Sequence, residues 1–187
     1  TIIVYTWPIF ATIFSTIILK EKIIKRNIYL LMLAFTGTVF IFFNQKISFG
    51  NLEFLGLMFM FATAILHAFV IVIFKGQSDK NSKYETIFYQ NIIGFLMFLP
   101  FIFINKPLPN LLQTGMGIAY GTFIGLVAYI FFFSALKKIK ASTASHLTYV
   151  EVVSAIIFGM IIFKESLTWN VIVGGLLIIT STYLLKR

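Results

Sequence analysis

The sequence has six acidic side chains, two histidines and no cysteine. Only one acid, Glu151, falls well inside an apolar run. Glu21, Glu53, Asp79, Glu85 and Glu165 lie at or beyond run ends. A charge at the centre of a bilayer costs about 2.5–3.5 kcal/mol even on the lenient insertion scale, so an acid there faces a cavity, has a partner or is protonated. Glu151 is therefore expected to read a cationic or polar part of a small molecule, or to carry a proton. The structural alternative is a carboxylic acid tying two helices together. His67 recurs with Gly56, Met60 and Thr63 at helical spacing, a small and polar face able to line a cavity. An imidazole there can relay protons near neutral pH or simply bond a neighbouring helix. Tyr89, Gln90 and Asn91 form a polar step. Gln90 reads as interhelical glue, and Asn91 as glue or as a ligand contact. Tyr5, Trp7 and Tyr149 could offer rings to an organic molecule by stacking or cation–π contact, or serve as packing. Trp169 sits at a run boundary and reads as an interface anchor.

Some chemistry is excluded by what is missing. No G-x-x-x-x-G-K-[ST] loop occurs, so this chain carries no nucleotide-driven pump motif. No H-E-x-x-H pair and no pair of intramembrane acids occurs. An intramembrane enzyme acting on lipid-linked substrate would need Glu151 beside His67 or His146. Neither a metal site nor a cofactor is expected.

These residues must be held by apolar elements. Hydrophobic residues make up 59% of the 187 and charged residues 11%, too little polarity to cover a soluble core. Seven apolar runs have membrane length: Ile2–Leu19, Ile28–Phe43, Phe54–Phe74, Thr86–Ile104, Met116–Leu136, Ser145–Phe163 and Val171–Leu185. None alternates with period two, so the expected fold is all-α, a polytopic membrane helix bundle. The net charge of +9 follows topology and points to no nucleic-acid partner. Of fifteen Lys and Arg, twelve lie in the first, third and fifth gaps and the C-terminal tail, and only Lys46, Lys106 and Lys164 in the others. Positive charge collects on the cytoplasmic side. The odd gaps and the C-terminus are thus expected in the cytoplasm. The expected partners are the lipid bilayer and a small-molecule substrate, with a homodimer as an option.

The chain also repeats itself. Shifted by 144 residues, Tyr5 falls on Tyr149, Ala11 on Ala155, Phe14 on Phe158, Lys20 on Lys164 and Glu21 on Glu165. The register continues without a gap through Thr36 on Thr180 and Thr38 on Thr182. The copies are five runs apart, and an odd offset forces opposite orientation across a membrane. Inverted repeats are a mark of secondary transporters with sites near the midplane. A five-helix unit used twice makes ten helices, and the start at Thr1 inside a run points to three N-terminal helices not present here. The spacing of Gly117, Gly121 and Gly125, and of Thr148, Ala155 and Gly159, predicts two small faces for close helix approach. Glu21 and Glu165 read as loop organisers, pairing with Lys or meeting the N-terminus of the next helix.

Ala135-Leu136-Lys137-Lys138, Ala141-Ser142, Leu147-Thr148-Tyr149-Val150-Glu151, Lys164-Glu165 and Gly174-Gly175 together resemble the second EamA domain of the drug/metabolite transporter superfamily. Tyr5, Pro8 and Glu21 resemble the end of the first. The resemblance implies seven helices of a ten-helix (5+5) inner-membrane transporter of small metabolites or drugs. Residues 1–45 would end the first repeat and residues 52–187 would form the second. The family often has Pro after Tyr-x-Glu, whereas this chain has Val152. The first repeat keeps Pro8 but has Trp7 where the acid would be.

Overall fold

The computed structural model describes residues 3–42, 51–104, 109–164 and 166–185, with the side chains of 51–53 and 102 outside the description. Glu165, Lys46, Lys106, Lys186, Arg187, the Glu53 side chain and the Asn44–Lys46 punctuation lie outside the described residues. Among these residues every regular element is helical. A 3-10 turn, Val4–Thr6, leads into α1 (Trp7–Ile18). Then come α2 (Lys25–Ile41), α3 (Asn51–Gln77) and α4 (Lys83–Ile104). α5 (Leu111–Thr122), a π-helical segment (Phe123–Ala128) and α6 (Tyr129–Lys138) run on from one another. So do α7 (Ala141–Leu147) and α8 (Tyr149–Phe163), and α9 (Trp169–Leu185) follows. Each apolar run thus contains helix. Among the described residues, Phe54–Gln77, Leu111–Lys138 and Ala141–Phe163 are long and apolar enough to cross a membrane. Val4–Ile18 and Trp169–Leu185 are shorter apolar helices. Large apolar side chains stay uncovered: Phe98, Phe103, Phe131 and Ile161 are 71–75% exposed. Water would penalise such a surface, whereas hydrocarbon does not.

The chain divides into two compact units, Thr1–Ile73 with Lys140–Arg187, and Phe74–Ile139. In the first unit α2 packs along α9, and α1 packs on α7. The buried positions of α1 and α7 are mostly small: Ala11, Thr12, Ser15, Ala141, Ala144 and Ser145. Small side chains let two backbones approach. Their hydroxyls bond backward along their own helices, Thr12 to the Pro8 carbonyl, Ser15 to Thr12 and Ser145 to Ala141. These three hydroxyls are then not left bare where water is scarce. Pro8 stands in the first turn of α1, where its missing N–H is harmless and its fixed φ favours the helix. α3 meets α1 through ring edges: His67 on Trp7, Phe61 on Phe10 and Phe69 on Phe14, with centroids 4.5, 5.6 and 6.1 Å apart.

α2 and α9 cross at two glycines. A Cβ on Gly37 would lie 2.6 Å from the Gly174 carbonyl oxygen, and one on Gly174 would lie 2.4 Å from the Gly37 carbonyl oxygen. Both positions therefore require glycine for the observed approach. The glycine face expected along α5 behaves differently. A Cβ at Gly117 or Gly121 would find nothing within 4 Å, and only Gly125 has a neighbour, the Asn91 side chain.

Glu21 organises a loop, but at a distant helix rather than at a lysine or the next helix in sequence. Its carboxylate accepts from the Ala141 N–H at 2.8 Å, the Ser142 N–H at 3.3 Å and the Ser142 hydroxyl at 2.8 Å. It supplies the N-terminal cap that Lys140, at the N-cap position, does not. Lys140 in turn donates to the Lys22 carbonyl at 3.0 Å, and Arg26 donates to the Leu184 carbonyl. Glu21→Ala is expected to lower the stability of the folded chain by about 1–3 kcal/mol, the range for losing charge-assisted bonds at a partly buried helix start. Glu21→Gln should recover part of it. Denaturant unfolding in mild detergent measures both.

In the second unit, Ser82 and Glu85 cap the start of α4: Glu85 accepts from the Ser82 N–H at 2.8 Å and Ser82 from the Tyr84 N–H at 3.3 Å. Lys75 donates to the carbonyls of Leu136 and Lys137 at 2.9 and 3.1 Å, where the dipole of α6 ends in partial negative charge. Lys83 donates to the Ser134 hydroxyl at 2.9 Å.

Candidate functional site

Five of the six expected site residues, Tyr5, Trp7, His67, Tyr149 and Glu151, belong to the first unit. Asn91 belongs to the second. Tyr149 is fully buried among Leu31, Ala34, Val152 and Ile178, and its hydroxyl donates to the Tyr5 carbonyl at 2.8 Å. That bond makes it a joint between repeat-equivalent segments. The Tyr5 ring stacks on Phe42 with centroids 6.0 Å apart. Trp7 is buried against the exposed His67. On α3 the buried side is Ala64, Ala68, Ile71 and Val72, so Thr63 and His67 stay on the uncovered side.

Glu151 lies in the first turn of α8, close to the middle of the Ala141–Phe163 stretch. That stretch has 23 residues and, at 1.5 Å each, is about 34 Å long, a little more than a hydrocarbon core. The Glu151 side chain is exposed and has no hydrogen bond or ion pair among the described residues. The Glu151–histidine pair that an intramembrane enzyme would need is not formed: His67 meets Trp7, and His146 bonds Ser181 at 2.7 Å. Asn91 donates its amide to the Gly125 carbonyl at 3.0 Å, in the π-helical segment. It also lines an open groove of about 490 Å³ with Tyr84, Phe88, Phe95 and Leu126. Gln90, expected as glue, keeps its buried carbonyl oxygen without a partner.

Several structural details follow the 144-residue shift. α2 and α9 each have 17 residues, and their limits differ by that shift at both ends. Among the described residues, the only non-glycine residues with positive φ are Lys20 at 53° and Lys164 at 55°, equivalent positions that each follow a helix. The Tyr149–Tyr5 bond joins two equivalent residues. Exchanging the copies turns the Gly37–Gly174 crossing into the pair Ser181–Leu30. There the Ser181 hydroxyl donates to the Leu30 carbonyl at 2.6 Å. A residue that touches its own equivalent lies on the axis relating the copies, and contacts that exchange lie on either side of it. Trp7 and Glu151 are equivalent positions, so one copy presents an indole where the other presents a carboxylate.

Sequence reasoning missed Gly37 and Ser181. The available signal was that equivalent positions 37 and 181 both carry small side chains, which a helix crossing at that level needs.

The model of the EamA-like transporter family matches residues 54–187. Among curated relatives, an uncharacterized transporter of Bacillus subtilis, YoaV, is 28% identical over 95% of this chain and 62% of its own length. An uncharacterized transporter of Clostridium kluyveri is 29% identical over 93% of this chain and 58% of its own. The pseudopaline exporter CntI of Pseudomonas aeruginosa is 24% identical over 100% of this chain and 65% of its own. The chain thus spans somewhat less than two-thirds of the length of these relatives.

Proposed function

This chain belongs to the EamA-like transporter family, and from that premise we infer that it serves secondary-active transport of small organic metabolites or drugs by alternating access. The driving force is a proton or an exchanged solute. One observation carries the reading: a carboxylate, Glu151, stands near the middle of a membrane-length stretch, exposed and unpartnered among the described residues. Hydrocarbon is a poor place for such a group, so its surroundings in the membrane are polar: a cavity with water or a solute in it.

In this reading Glu151 meets the substrate or the coupling proton. His67 and Trp7 provide an imidazole and an indole at the repeat-equivalent place, and Tyr149 fixes Tyr5 from behind. In the second unit, taken by itself, Asn91 holds the π-helical segment through its N–H₂. Residues 1–45 end one repeat and 52–187 form the other, within a ten-helix 5+5 arrangement whose halves rock about the midplane. The two-way correspondence of the 144-residue shift supports this.

The orientation is argued from the loops. In the first unit Glu21 and Lys22 meet Lys140–Ser142, and Arg26 meets Leu184. In the second, Lys75 and Lys83 meet Ser134–Lys137. Each contact joins two ends that the positive-inside rule assigns to one side, the cytoplasmic side of the plasma or inner membrane.

The test is flux. The purified full-length protein in proteoliposomes is screened against amino acids, organic cations, nucleosides and zwitterionic metal chelators for solute-dependent currents and accumulation. Saturable movement of at least one class, abolished by Glu151→Gln, is the expected result. No movement of any class by correctly inserted protein would overturn the reading.

A further inference from the structure

His146 has no role in the site described above, yet it is 2% exposed and tied into three helices. Its Nε2 lies 2.7 Å from the Ser181 hydroxyl, and that hydroxyl lies 2.6 Å from the Leu30 carbonyl. The order of donors is fixed by chemistry. A carbonyl cannot donate, so the single serine proton goes to Leu30, and Nε2–H must donate to Ser181. The neutral ring then carries a bare Nδ1, which has no hydrogen-bonding partner among the described residues. The chain His146–Ser181–Leu30 joins α7 to α9 and α2, about two helical turns along from the Gly37–Gly174 crossing.

The ring also borders a small, partly open cavity of about 10 Å³, lined by Thr12, Asn27, Ser142, Thr143 and His146 together with the apolar Ile23, Leu31 and Leu185. That is room for one water, and the polar walls offer it partners. Few charges there would welcome a cation. α1 contributes no titratable side chain. The α1–α2 loop contributes Glu21, whose carboxylate is already committed to Ala141 and Ser142, together with Lys22. α2 contributes Lys25, Tyr29 and Arg26, which bonds Leu184. α7 contributes Lys140, α8 the Tyr149 ring 6.4 Å from the imidazole and α9 Tyr183. Counting Lys20 of the α1–α2 loop, these elements carry five cations against Glu21, whose carboxylate is already engaged.

We propose that His146 is an internal proton site, reached through a single water in the Asn27–Thr143 cavity, whose neutral ring latches α7 to the α2–α9 crossing and whose protonation loosens that latch. Protonation puts a second N–H on the ring where no protein acceptor waits, and adds positive charge to a basic end of the unit. The inference rests on the first unit's geometry and stands apart from the transport reading.

The chain has two histidines, so ¹⁵N-imidazole spectra of the protein in lipid nanodiscs hold two ring systems. The one absent from His146→Gln belongs to His146. At about pH 7.5 it is expected as the Nε2–H tautomer, and because burial disfavours the cation, acidification must go to about pH 3.5 to protonate it. The thermal midpoint of wild type should fall by about 3 °C or more over that range. His146→Gln keeps an N–H donor for Ser181 but cannot gain a proton, so its midpoint should fall distinctly less. His146→Leu should lose stability at both pH values. An Nδ1–H tautomer, a ring that stays neutral at about pH 3.5, or an equal fall in His146→Gln would overturn the proposal.

Discussion

Glu151→Gln is expected to cut solute flux about tenfold or more and to flatten its dependence on pH, while leaving the folded chain as stable as wild type. Glutamine keeps the shape of the side chain and removes its charge. A charge-assisted hydrogen bond contributes about 1.5–3 kcal/mol, and each 1.4 kcal/mol is a factor of ten, so a lost substrate contact at this position is large. If Glu151 reads a cationic group, the loss falls mainly on affinity. If it carries the coupling proton, uphill accumulation disappears and exchange of solute for solute survives. The stability control distinguishes both from a structural tie. Glu151 is exposed and has no side-chain hydrogen bond or ion pair among the described residues, so neutralising it breaks neither kind of bond within them. Unchanged flux with unchanged pH dependence would return Glu151 to a bystander. A lowered unfolding midpoint would make it a strut.

The second large effect is expected at the helix crossing. Gly174→Ala should destabilise the chain by about 1–3 kcal/mol, because the added methyl has a backbone oxygen 2.4 Å away and backbone cannot swing aside as a side chain does. Gly37→Ala should do the same, against the oxygen 2.6 Å away. The two together should cost less than their sum, since a pair of helices already pushed apart by one methyl admits the other. Gly175→Ala is the control. Nothing lies within 4 Å of its Cβ position, and losing a glycine from a helix interior is neutral or mildly stabilising. Unfolding midpoints of the four variants decide the matter. Equal tolerance at Gly174 and Gly175 would contradict the observed crossing.

The helices and their approximate limits were legible because long apolar runs leave few options in an apolar solvent. The repeat was legible from Tyr5/Tyr149 and Lys20/Lys164, and the same pairs recur as a hydrogen bond and as two matching left-handed residues. Glu151 stood out because a carboxylate in such a run is rare and costly. What the sequence hid was partnership. Tyr149 reads equally as a cavity wall or a joint until its hydroxyl is seen on Tyr5. Glu21 reads as a loop acid until its carboxylate is seen on α7, about 120 residues away in the chain. Gly117 and Gly121 repeat at the spacing of a packing face yet meet nothing, whereas Gly37 and Gly174 have no partner glycine at that spacing and form the closest approach. Spacing tells which residues share a face. It does not tell which faces meet.

Everything functional here depends on the two copies running through the membrane in opposite directions. The absence of cysteine makes that directly measurable with Lys22→Cys and Ser166→Cys, single reporters beyond opposite ends of α7–α8. In intact cells and in inverted vesicles, an impermeant thiol reagent is expected to label Ser166→Cys from outside and Lys22→Cys from the cytoplasmic side. Labelling of both positions from the same side would contradict the inverted repeat, and with it the midplane site.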